Sequence, residues 1–151
     1  GFFRYFVDNN LRVRLGVKAV DGGYILYRMT EQGTWELFYV IDFVDSSSFL
    51  RAIEQGSAYF GPENRFFYLP NTRSRDNTSI VKMDLAVGTT SLVATDNRGD
   101  IVDTLYASHS GKVQAFSLNL ARKEWVVVDP ALGVDFNKIT PTFSLSVIST
   151  L

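Results

Sequence analysis

Apolar and polar residues alternate along this chain in run after run, and each run is soon broken by a Gly- or Asp-rich turn. Leu11-Arg12-Val13-Arg14-Leu15-Gly16-Val17 sets the pattern. A period of two buries one face of a strand and leaves the other in water. Asp21-Gly22-Gly23 turns the chain into a strand from Tyr24 to Met29, and Glu31-Gln32-Gly33 turns it again into Trp35 to Ile41. Short turns between such runs make a three-strand antiparallel meander between Leu11 and Ile41. Asp45-Ser46-Ser47-Ser48 then interrupts the strands and can cap a short helix through Phe49, Leu50, Ile53 and Glu54, ended by Gly56.

A second meander follows. Ser57 to Phe60 leads into the turn Gly61-Pro62-Glu63-Asn64, then a strand from Arg65 to Leu69 that Pro70 closes. Asn71 to Asn77 reads as a polar loop, Thr78 to Asp84 as a strand, Leu85 to Gly88 as a turn and Thr89 to Ala94 as the return. A third begins after the turn-rich stretch Thr95 to Asp100. Its strands are Ile101 to Tyr106, Lys112 to Leu118 and Glu124 to Val128, joined through Ser108-His109-Ser110-Gly111 and Leu120-Ala121-Arg122-Lys123. Asp129-Pro130 stops it, Gly133 to Ile139 reads as a helical turn, and Thr142 to Ile148 as one more strand.

The meanders start near residues 11, 57 and 101, about 44 to 46 residues apart, which is the spacing of propeller blades. A lone meander sheet cannot bury both its faces, whereas stacked blades bury one another. The expected fold is therefore all-β: about three antiparallel meander blades of a seven-bladed type of β-propeller, in partial form. The blades span 11–44, 57–96 and 101–130, and 131–151 starts a further one. A propeller closes with about four to eight blades, more than 151 residues supply. The Gly at position 1, where a whole protein would start with Met, fits a processed or excised segment.

Composition removes most chemistry. With 15 basic and 16 acidic side chains the net charge is −1, so there is no basic footprint for nucleic acid and no polybasic membrane surface. No run of about 18 apolar residues offers a membrane span. There is no cysteine, which excludes a disulfide scaffold, a thiolate metal site and a Cys nucleophile. The one histidine, His109, cannot build a His-rich zinc site, and any Ser-His-Asp triad would have to use it. Its place in a Ser/Gly turn reads as a turn residue instead.

The remaining polar groups each admit a chemical and a plain reading. Arg73, Arg75 and Asp76 could form an arginine fork for a carboxylate such as a peptide terminus. The preferred alternative is an Arg–Asp pair that closes the loop. Asp96-Asn97-Arg98-Gly99-Asp100 lacks the spacing of a calcium loop and reads as a turn between blades. Glu31, Glu36, Asp42 and Asp45 read as solvated strand ends rather than a facing carboxylate pair. Trp35 and Trp125 sit at like positions in two hairpins and read as blade-to-blade packing. Asn77-Thr78-Ser79 is a formal glycosylation triplet without further support.

The stretch from Arg65 to Leu85, with its apolar strand, the loop Arg73-Ser74-Arg75-Asp76 and the hairpin Asp84-Leu85-Ala86-Val87-Gly88, resembles the propeller of prolyl-oligopeptidase-family serine peptidases. Val113 to Phe116 and Trp125 to Pro130 resemble the following segment in acylaminoacyl-peptidase-like members. Leu11 to Arg14 with Asp21-Gly22-Gly23 looks like the preceding blade. The resemblance implies a non-catalytic propeller portion that scaffolds, and gates peptide substrate toward, a C-terminal α/β-hydrolase domain of the same parent chain. It implies no cofactor, no metal and no catalytic residue here; no G-x-S-x-G nucleophile elbow occurs, and the expected location is cytoplasmic. Cut from its neighbours, such a piece is expected to self-associate through uncovered faces and edges. The alternatives are a stand-alone β-sheet binding module, a protein-interaction domain, and a small β hydrolase, the last disfavoured by the single His.

Overall fold

The structure is a computed structural model and describes residues 1–72, 77–139 and 145–147. Its first sheet runs β1 (Arg4–Val7), β2 (Val13–Val20), β3 (Gly23–Met29) and β4 (Trp35–Asp42), in that order and antiparallel throughout. The sheet thus starts before the expected Leu11. β1 carries no simple alternation because both faces are aromatic. Phe6 packs edge-on against Phe67 at 4.9 Å, while Tyr5 turns outward to Trp35 at 6.0 Å. Gly16, directly opposite Tyr5, is small for a reason: a Cβ there would come within 2.8 Å of the Phe2 ring.

The helix expected after this sheet is α1 (Phe43–Gln55). Its cap lies three residues ahead of the Ser/Asp cluster, since Asp42 Oδ1 accepts the Asp45 N–H at 3.3 Å. Gly56, left-handed at φ 68°, ends it. Phe49, Ala52 and Ile53 are its buried face.

β5 (Tyr59–Phe60), β6 (Phe66–Asn71), β7 (Ser79–Asp84) and β8 (Thr90–Ala94) form the second antiparallel sheet, again in chain order. Pro70 does not close the strand as expected but sits within it, opposite Ile80. β5 pairs with β6 only at Tyr68 and Phe67. Beyond Tyr68, one side of β6 has no ladder for a proline to break. Period-2 alternation then sends alternate residues to two different partners. Phe67, Leu69, Val81 and Met83 pack with Leu15, Val17 and Leu26 of the first sheet. Tyr59, Tyr68 and Ile80 pack with Ile101, Phe116 and Leu118 of the third. A sheet covered on both faces reads as nearly continuous buried sequence, as β6 does.

The third sheet holds β9 (Asp100–Tyr106), β10 (Val113–Asn119) and β11 (Lys123–Val127) as an antiparallel meander. Asp129 Oδ1 accepts the Ala131 N–H at 3.0 Å at the start of α2 (Pro130–Ile139), longer than the expected helical turn, with Pro in its first turn. The expected terminal strand is described over β12 (Leu145–Val147). It lies beside β11, parallel to it, as the fourth strand of this sheet. Three sheets therefore stack face to face, with the second in the middle. Among the described residues no helix is long and apolar enough to cross a membrane.

Candidate functional site

In each sheet the first two strands are joined by a turn of the same design, and the three turns lie together. Asp8 N–H donates to Arg12 O at 2.9 Å, Gly61 N–H to Phe66 O at 2.9 Å and Ala107 N–H to Lys112 O at 2.9 Å. Within each turn the residue three further on donates back: Leu11 to Asp8, Asn64 to Gly61, Ser110 to Ala107. Each carries one left-handed residue, Leu11 at φ 60°, Asn64 at φ 57° and Gly111 at φ 63°. Glycine and asparagine accept that conformation most readily, and Leu11 is the costly exception.

The turns touch. Asn9 donates twice across the gap, its backbone N–H to Asn64 Oδ1 at 2.9 Å and Nδ2 to Gly61 O at 2.8 Å. Gly111 faces Pro62 so closely that a Cβ would collide with its ring. Between them lies a cavity of about 290 Å³, walled by Phe6, Val7, Tyr59, Phe60 and Tyr106 from the first strands of all three sheets. Tyr59 is the middle ring of a stack, 4.9 Å from Tyr68 and 3.7 Å from Tyr106. Its hydroxyl is buried without a hydrogen-bond partner. Burial pushes the Tyr59 phenol well above its ordinary range, and the neighbouring phenols of Tyr68 and Tyr106 push the same way.

A second cleft, of about 550 Å³, opens at the same end between the first two sheets. Its arginines are already engaged. Arg14 meets Asp8 at 3.1 Å, Arg65 meets Asp84 at 2.6 Å, and Arg28 holds Glu36 and the Leu85 carbonyl. Side-chain hydrogen bonds from Arg65 keep the Asp84 carboxyl below the usual carboxylate range. This end can seat and exclude molecules by shape and aromatic contact.

The chain is similar to a peptidase. Dipeptidyl aminopeptidase BIII of Pseudoxanthomonas mexicana is 34% identical to it over 136 residues, 89% of this chain and 19% of that protein. The chain thus spans about a fifth of the length of the curated relative it matches. No family model matches it.

The expected binding residues Arg73, Arg75 and Asp76 lie outside the described residues. Their flanks are firmly held, at the end of the sheets opposite the turn row. Thr72 donates its N–H and Oγ1 to Asp45 Oδ1 at 3.2 and 2.6 Å, and Thr78 N–H donates to Asp100 Oδ1 at 2.7 Å. Asp45 is 4% exposed, so it is not the solvated strand end expected of it. Asp42 caps α1, Glu36 pairs with Arg28, and Glu31 lines the larger cleft. The four carboxylates serve separate tasks and do not face one another as a pair.

His109 is exposed in the third of the matched turns, as its Ser/Gly setting implies. Asp96 is buried and gripped at both oxygens by Arg98, at 3.0 and 2.9 Å, and Arg98 also reaches Glu124 at 2.7 Å. These hydrogen bonds, countered by burial, hold the Asp96 carboxyl below its ordinary value. Trp35 and Trp125 are not equivalent: one opens the fourth strand of its sheet, the other lies in the third strand of another. Trp35 packs on Phe2 at 4.6 Å, on the outer face of the first sheet. Asn77 Nδ2 donates to Asp96 O at 3.3 Å. Among the described residues no group of His, Cys, Asp and Glu could hold a metal ion.

The turn row and the tyrosine stack escaped the sequence reading. Each turn is marked locally by its polar and glycine residues, but their adjacency is not.

Proposed function

We propose that this chain is a non-catalytic β-propeller segment of a serine peptidase of the prolyl-oligopeptidase family. It scaffolds, and gates peptide access to, a C-terminal α/β-hydrolase domain that its own residues do not include. The observation that carries the reading is the alignment of three like-built turns at one end of three stacked sheets, enclosing an aromatic cavity. Blades stacked in register place equivalent turns in a row, and a rim of such turns filters by size without chemistry of its own. The match to a dipeptidyl aminopeptidase over 89% of the chain supports the peptidase side of the reading.

The test is turnover of dipeptidyl nitroanilides by the purified chain. The expected result is none, and His109→Ala changes nothing. Hydrolysis abolished by His109→Ala would overturn the reading in favour of a small β hydrolase.

The outer face of the first sheet carries Tyr5, Leu37 and Val40 at 49%, 60% and 51% exposure. A face of this kind is what a neighbouring blade covers, and uncovered it drives association. The isolated chain therefore self-associates. Sedimentation velocity checks this, and a monomer at all concentrations, with a ligand for that face, would favour a stand-alone binding module.

A further inference from the structure

Between the middle and third sheets lies a groove of about 310 Å³ walled by Tyr68, Lys82, Leu92, Lys112, Val113 and Val128. Its cations come from both sheets. Lys82 lies on β7 directly opposite Tyr68, whose side chain packs toward the third sheet, and Lys112 immediately precedes β10. Neither lysine is in ion-pair reach of a carboxylate among the described residues.

The acids nearby are occupied. Asp84, two residues along β7, is held by Arg65. Asp129 accepts from Gln114 Nε2 at 3.2 Å and from Ala131 N–H at 3.0 Å. Lys82 instead rests its ammonium on the Phe66 ring at 4.6 Å, which compensates only in part for lost water. Two cations outside ion-pair reach, Lys112 feeling Asp129 only at longer range, beside an apolar wall favour an anion. The wall favours one that carries an apolar body, and the volume is at the small end for a small-molecule site.

We propose that this groove binds a small monocarboxylate with an apolar body. The carboxylate lies between the Lys82 and Lys112 ammonium groups with the Tyr68 hydroxyl as a third donor. The apolar body lies along Leu92, Val113 and Val128. The proposal is independent of the peptidase reading, since it needs neither a hydrolase domain nor turnover.

Calorimetric titration of the full 151-residue chain with hexanoate, hexanol and acetate tests it. Hexanoate is expected to bind, with hexanol and acetate each about tenfold weaker or more, the size of one charge-assisted contact or of a few buried methylenes. Lys82→Gln together with Lys112→Gln should weaken hexanoate by about tenfold or more. Lys123→Gln, whose lysine pairs with Asp103, should leave it unchanged. Should the double variant fold poorly, the wild-type chain still answers: raising salt from about 0.05 to about 0.5 M should weaken hexanoate and spare hexanol. Acetyl-alanyl-leucine with a free C-terminus separates two sources of the same chemistry. Binding tighter than hexanoate assigns the groove to peptide C-termini, and weaker binding to free organic acids. No binding of hexanoate, hexanol binding as tight as hexanoate, or insensitivity to both the glutamines and salt would overturn the proposal.

Discussion

Between the first and second sheets the packed side chains are Leu15, Val17, Leu26, Phe67, Leu69 and Met83, closed on one side by Phe49 of α1. Between the second and third they include Tyr59, Tyr68 and the flanking ring of Tyr106, and Asp96 and Arg98 of the β8–β9 connection form a cluster with Glu124 of β11. The middle sheet makes both seams with the same strands, so the contrast comes from side chains alone. The first seam gains its stability mainly from apolar area removed from water, which is indifferent to pH, with ion pairs such as Arg65–Asp84 at its rim. The second adds stacked phenols and a partly buried ion cluster, which are not indifferent. The lysine groove borders the second seam, while the cavity is walled by the first strands of all three sheets.

The contrast can be broken or sharpened by substitution. Phe67→Ala, at 0% exposure between Phe6 and Phe60, should cost about 3–5 kcal/mol by urea unfolding. A cost under about 1 kcal/mol would mean the first seam is not the apolar core described. Arg98→Ala leaves the buried Asp96 carboxylate without its guanidinium partner, keeping only the backbone N–H of residue 98, and should cost about 2 kcal/mol, with a loss that shrinks at high salt.

A smaller effect appears in acid. The hydrogen bonds from Arg98 depress the folded-state pKa of Asp96. Its contribution is therefore fully present above the unfolded-state value, about 4, and is lost as pH falls through the folded value. Asp96→Asn should flatten the fall in stability below about pH 4, whereas Phe67→Ala should keep the wild-type slope. Parallel slopes in wild type and Asp96→Asn would remove the electrostatic part of the contrast. The smallest effect is expected at Tyr59→Phe. It deletes a buried hydroxyl that has no partner, so stability should hold or rise by up to about 1 kcal/mol. A clear loss would show that the hydroxyl does have a partner.

Much of the sheet order was written locally. Alternation and turn residues marked β2 to β4 and β6 to β11, because a strand with one or two fixed faces leaves its period in the sequence. What local patterns could not carry was tertiary. β1 is aromatic on both faces, Pro70 is allowed in β6 only because β5 is short, and β12 joins the third sheet through a parallel pairing with no local signature. Asp45 looked like a solvated end until Thr72, brought up by β6, covered it.

The site was less legible than the fold. Its cavity is assembled from turns near residues 9, 62 and 109, and nothing in any one turn states that the others adjoin it. The arginine loop stood out in sequence because charge is conspicuous there, whereas the stacked tyrosines became a site only through sheet pairing.

The central claim is that this chain is the non-catalytic part of a peptidase. Reading the coding sequence on both sides of the segment tests it most directly. The account expects, downstream, an α/β region with G-x-S-x-G followed by an Asp and then a His. A start codon just before Gly1 and a stop codon just after Leu151 would contradict it.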